Sequence, residues 1–194
     1  MNKLISLIAK IFCNKTSVAQ TANEHLTFKR VPLDGSLSEF VSKMKSAGFS
    51  YIGIQDGTAI LKGDFAGFKG CIIGVNTLKS AGVVSTIGVI FPSKDDWSLL
   101  EADYILLKEL LTKKYGEPSE CIEQFQYYKT PEDNNTKLHC LKMDECTYST
   151  TFVTENGEIK LSLEHVNVLQ CFVKLQYWDR INTDEVKAKV MDDL

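Results

Sequence analysis

Apolar positions along this chain switch twice from helical spacing to strict alternation. Leu37, Phe40, Val41, Met44 and Ala47 recur every three to four residues and trace one face of a helix. Ser36 followed by Glu39 three residues later is the reciprocal capping pattern, and Gly48 supplies the stop. The spacing therefore predicts a helix over 36–48. From Phe49 onward the period becomes two: 51–54, 59–65, 68–75 and 83–91 read as strands, the first three parted by turns at Asp56-Gly57 and Ala66-Gly67. Within 68–75, Gly70 and Gly74 share one face while Cys71, Ile73 and Val75 line the other. Glycine at alternate strand positions points to a bulge or to close approach by another element.

The cadence then repeats. Trp97, Leu100, Tyr104, Leu107 and Leu111 form a second stripe, which predicts a helix over 94–115 with Ser93 as N-cap and Asp96 at N3. Lys113-Lys114 complements the negative helix end, and Gly116 and Pro118 end the helix. Residues 121–128 read as extended and the polar run 131–137 (PEDNNTK) as a loop. Strands 146–153 and 158–165 form a hairpin across 154–157, with Asn156-Gly157 as its turn. A last strand spans 168–178, and a short helix near Thr183 is expected to pack through Val186 and Val190. Before all of this, 24–33 alternates like a strand broken at Pro32, and Asp34-Gly35 turns the chain.

The pattern defines an α+β fold: two amphipathic helices on one face of a mainly antiparallel sheet. Its helix-plus-strands order suggests a tandem repeat, 20–92 and then 93–194, within one compact domain. Residue identity between the halves is poor, so the duplication is an architectural expectation. Strands with one apolar face need helices laid across it, which leaves the reverse face free.

Composition narrows the function classes. The 194 residues are 44% hydrophobic and 24% charged, ordinary for a globular protein, and the net charge is −3. The basic residues cluster no further than pairs such as Lys113-Lys114, which argues against nucleic acid as a partner. Met1-Asn2-Lys3, the apolar run 4–13 and Ser17-Val18-Ala19 outline a secretory signal over 1–19. Lys10 and Asn14-Lys15-Thr16 fit instead an amphipathic helix on a cytoplasmic protein. Export to the periplasm or beyond is the expectation, with the cytoplasm as alternative. Phe12 disfavours a lipid anchor on Cys13, and no later segment reaches the ~20 apolar residues that span a bilayer.

Signal removal would leave Cys71, Cys121, Cys140, Cys146 and Cys171, an odd number. Cys171 shares strand parity with Val173, Leu175 and Tyr177, and Cys146 with Tyr148, Thr150 and Phe152. Both suit small buried hydrophobes as well as disulfide partners.

The runs HLTFKRVPLDGSLSEFVSKMKSAGF, LKGDFAGFKGCIIGVNTLK, LLKELLTKKYGEPSE and the terminal MDDL resemble a group of small bacterial proteins of unknown function. That resemblance implies export and carries no catalytic signature. More loosely, the helix-plus-sheet repeat is similar to the architecture of β-lactamase inhibitory proteins and small outer-membrane assembly lipoproteins.

Candidate chemistry is sparse. Of the three histidines, His25, His139 and His165, only His139 adjoins a thiol, Cys140, and strand neighbours would point to opposite faces. His139, Cys140, Cys146 and Cys121 lack the paired spacing of zinc sites, and Asp133-Asn134-Asn135 lacks the glycine and distal glutamate of a calcium loop. GDFAGFKG, 63–70, has three residues between Gly63 and Gly67 where a phosphate loop has four, and reads as a hairpin. Glu101, Asp103 and Glu109 read as a solvated helix face. Among the aromatics Phe65, Phe68, Tyr127, Tyr128, Tyr177 and Trp178, adjacent pairs on regular strands send one ring to each face. No catalytic, cofactor-binding or metal residue is assigned and no cofactor is expected. The expected function is a non-catalytic module that binds a protein or cell-envelope component through its open sheet face. The alternative is a small hydrolase or thiol enzyme whose site assembles only on folding.

Overall fold

The computed structural model describes residues 25–78, 81–126, 130–167 and 169–192. A short hairpin, β1 (Thr27–Phe28) and β2 (Val31–Pro32), precedes helix α1 (Leu37–Ser46) and the strands β3 (Ser50–Gln55), β4 (Thr58–Phe65), β5 (Phe68–Thr77) and β6 (Val84–Ile90). Helix α2 (Trp97–Tyr115) leads to β7 (Glu120–Phe125), α3 (Asn134–Lys142), β8 (Cys146–Thr154), β9 (Gly157–Val166), β10 (Gln170–Asp179) and α4 (Arg180–Asp192). Eight strands form one antiparallel sheet in the order β3-β4-β5-β6-β10-β9-β8-β7. The order runs forward through the first half and backward through the second. Two helix-plus-four-strand units give this arrangement when their last strands, β6 and β10, pair.

One sheet face is the core. Register places Leu61, Ile73, Val89, Leu175 and Leu161 side by side across five strands, all buried. Phe40 and Met44 of α1 and the stripe Trp97, Leu100, Tyr104, Leu107 and Leu111 of α2 complete this core. Ser36 and Glu39 form the reciprocal cap, the Ser36 hydroxyl accepting from the Glu39 amide and the Glu39 carboxylate accepting from the Ser36 amide. Asp56-Gly57 and Ala66-Gly67 adopt positive φ at both positions, the twist that two-residue hairpins need.

The local order departs from the sequence pattern at four places. Asp96, not Ser93, caps α2, because its carboxylate accepts the Leu99 amide at 3.0 Å while the Lys94 amide is spent on Cys171 O at 2.8 Å. The polar run 131–137 is not a loop throughout: Asp133 accepts from the Thr136 amide at 2.8 Å and starts α3, whose Leu138, Cys140 and Leu141 are buried against the rest of the fold. The β8–β9 turn is Glu155-Asn156, since Thr154 already pairs with Gly157. Helix α4 begins at Arg180, just after Asp179, rather than near Thr183. Residues 1–19 with Cys13, the Tyr127-Tyr128 pair and the side chains of Val186 and Val190 lie outside the described residues. Among the described residues, no helix is long and apolar enough to cross a membrane.

Candidate functional site: the open sheet face

The reverse face of the sheet is built from the alternate residues of the same strands, so its composition is set by pleat parity. Register aligns it in rows. One row runs Ile72, Ile90, Lys174, Ser162, Ser149 and Ile122 across β5, β6, β10, β9, β8 and β7. The next runs Ile60, Gly74, Gly88, Gln176, Lys160 and Thr151, and a third runs Asn76, Thr86, Trp178, Glu158 and Val153. Solvent reaches this face: Ile90 is 37% and Val153 53% exposed. Tyr177 is buried and Trp178 half-buried, the one-ring-per-face split that strand geometry requires.

Gly74 and Gly88 pair directly across β5 and β6 at the middle of the sheet. Neither has positive φ, and a Cβ on Gly88 would meet nothing within 4 Å. A Cβ on Gly74 would touch only the Thr58 methyl at 3.2 Å and the Gly88 carbonyl. Internal packing therefore does not require glycine at Gly88, although each strand glycine costs about 0.5–1 kcal/mol relative to alanine. The pair leaves a trough of bare backbone, flanked by Ile72 and Ile90 on one side and by Thr86 and Trp178 on the other. Beside it an apolar depression of about 300 Å³ opens between Ile72, Ile90, Phe172 and Val166.

The titratable candidates stand apart from the glycine trough. His139 is exposed and Cys140 buried on α3, so helical rather than strand geometry separates them. His165 lies at a polar cleft of about 190 Å³ where β8 and β9 part beyond the Ser149–Ser162 pair. Its Nδ1 meets Asn167 O at 2.9 Å and its Nε2 meets the Asp144 carboxylate at 3.1 Å. Those contacts hold its pKa above the ordinary histidine value, the Asn167 carbonyl first and Asp144 second. Both nitrogens that a general base would need are thus occupied. The Ser162 hydroxyl, within the same cleft, donates to Glu164 at 2.8 Å. His25 bonds the buried Asp179 at 3.1 Å.

All five described cysteines are free thiols. Burial raises the pKa of Cys71, Cys140 and Cys171, and pushes Cys146 up to about 12. Cys121 is exposed on β7, with Lys108 Nζ at 3.6 Å and the Thr150 hydroxyl at 3.6 Å. Two of the helical carboxylates expected to be solvated have partners: Asp103 pairs with Lys94 at 3.4 Å, and Glu101 accepts from Tyr148. Among the described residues, no group of three or more His, Cys, Asp or Glu is placed to hold a metal. Comparison with known proteins yields no matching family model, no matching curated protein and no matching solved structure.

Proposed function

We propose that this chain is an exported, non-catalytic binding module that receives a protein or cell-envelope component on its open sheet face. The observation that carries the reading is the Gly74–Gly88 pair. Two central strands forgo side chains where at least one would fit, and bare backbone in a sheet suits close approach by another molecule. The neighbouring apolar depression and the half-buried Trp178 supply the buried anchors that interfaces concentrate, and Lys174, Lys160 and Glu158 supply a polar surround.

The test is site-specific photo-crosslinking in the producing cell. A photoreactive residue at Thr86 or Gln176, on the open face, is expected to give a discrete adduct. The same residue at Leu106 or Leu110, on the exposed side of α2, should give none. A Gly88→Val change should abolish the open-face adduct while leaving unfolding cooperative. Equal adducts from both surfaces, or an adduct indifferent to Gly88→Val, would sink the reading.

A further inference from the structure

The tip of the first hairpin departs from ordinary turn chemistry. Phe28 pairs with Val31, so β1 and β2 are joined by two residues, Lys29 and Arg30. Both have positive φ, 50° and 66°. A two-residue hairpin needs that conformation, and Asn-Gly or Asp-Gly adopts it with least strain. The turns between β3 and β4 and between β4 and β5 place glycine second, at Gly57 and Gly67. Here two long cationic side chains stand at the strained positions instead, both exposed. Strained backbone of this kind concentrates at functional contacts.

A third cation joins them. Lys29 Nζ lies 5.8 Å from the centre of the Phe49 ring, and Lys45 Nζ lies 5.2 Å from that of Tyr51. Phe49 and Tyr51 are two positions apart where α1 hands over to β3, so Lys29, Arg30 and Lys45 converge at the start of that strand. The ion pairs among the described residues use His25, Lys94, Lys108 and His165 as cations. Lys29, Arg30 and Lys45 therefore have no carboxylate partner there. β3 is an edge strand, and beside the cations it exposes Tyr51 (39%), Ile52 (60%) and Ile54 (62%). Asp56 lies past the far end of the strand.

We propose that this rim, the Lys29-Arg30 turn with Lys45 and the start of β3, rests on an anionic lipid surface. Unpaired cations beside exposed isoleucines and a tyrosine are the combination a phospholipid leaflet receives. Its phosphates meet the charge, and its acyl boundary meets the apolar side chains. A free phosphate would leave the isoleucines uncovered. Nucleic acid would need open rings for its bases, whereas Phe49 is buried and Tyr51 lies under Lys45. The rim is separate from the open face, and the two readings fail independently.

The experiment places a bimane fluorophore on Ile52→Cys in the full chain, with Cys13→Ser and Cys121→Ser as background, and titrates in phosphatidylglycerol vesicles. A blue shift is expected, weaker as salt rises and absent with phosphatidylcholine vesicles. The same fluorophore on Leu106→Cys, exposed on α2, should not shift. Lys29→Asn with Arg30→Gly should weaken vesicle binding about thirtyfold, because each basic residue at an anionic leaflet contributes about fivefold. The same pair of substitutions should raise the melting temperature by about 2–4 °C as the turn relaxes. No shift with phosphatidylglycerol, equal shifts at both positions, or binding indifferent to the paired substitutions overturns the proposal. So does displacement by inorganic phosphate or by duplex DNA at constant ionic strength, or a paired variant that melts no higher than the parent.

Discussion

Asp179 and His25 stand 154 positions apart in the chain, yet Asp179 Oδ1 lies 3.1 Å from His25 Nδ1. The same carboxylate, 1% exposed, accepts from the Leu26 amide at 2.9 Å and from the Asn182 amide at 3.0 Å. Asn182 in turn donates to Leu33 O and Val84 O, both at 2.9 Å. Asp179 at the end of β10 and Asn182 in the first turn of α4, both buried, thus hold the first hairpin and the start of β6. Because its partners are themselves removed from water, this carboxylate is far harder to replace than an exposed one.

Asp179→Ala is expected to destabilise the fold by about 3 kcal/mol, since two backbone amides lose their acceptor and each buried unpaired group costs about 1–3 kcal/mol. Urea unfolding of the variant checks this. A loss no greater than that of an exposed control such as Asp95→Ala would mean that the network contributes little.

His165 gives the fold a pH dependence of definite sign. As an imidazolium it donates through both nitrogens, to Asn167 O and to Asp144, and these contacts raise its folded-state pKa above the unfolded value of about 6.5. Its stabilisation is therefore complete below about pH 6.5 and disappears as pH rises through the folded value. Urea midpoints measured across neutral pH should fall with rising pH in the parent chain. In His165→Gln that component should vanish, and in Asp144→Asn it should shrink. A parent midpoint whose pH dependence is identical to that of His165→Gln would refute the assignment.

The thiols should separate by environment. In a Cys13→Ser background, Cys121 is expected to react first with a disulfide reagent, because it alone of the described thiols is exposed. Cys71, Cys140, Cys146 and Cys171 are buried and held protonated by burial, so they should react only on the timescale of unfolding. Timed labelling with mass analysis reads this directly. A fast phase that survives Cys121→Ser would show that one of the buried thiols is accessible.

How far the sequence foretold the fold depended on how local each determinant is. The Ser36–Glu39 cap, the two turns with positive φ and the glycine parity of β5 depend on residues within a few positions of one another, and the pattern shows them. Helix α3 was hidden because its polar first turn, Asn134 to Lys137, looks like a loop. Only burial of Leu138, Cys140 and Leu141 reveals its helical face. The displaced cap at Asp96 is similar in kind, since it depends on a backbone bond from Lys94 to Cys171 across the fold. The open-face trough was half legible. Gly74 stood out by alternation, but its neighbour Gly88 joins it through a strand register that no local window contains.

Gly88 separates stability from function. Its backbone is ordinary strand with open space above it, so a β-branched side chain should stabilise β6 by about 0.5–1 kcal/mol. Gly74 differs only slightly, since a Cβ there must displace the Thr58 methyl from 3.2 Å, and the gain should be smaller or absent. Urea unfolding of Gly88→Thr and Gly74→Ala is expected to rank them in that order, both above or near the parent chain. A more stable protein that no longer crosslinks through Thr86 or Gln176 would show that the glycines serve contact rather than folding. If Gly88→Thr instead destabilises the protein, the trough has a structural purpose, and the case for a partner on this face loses its main support.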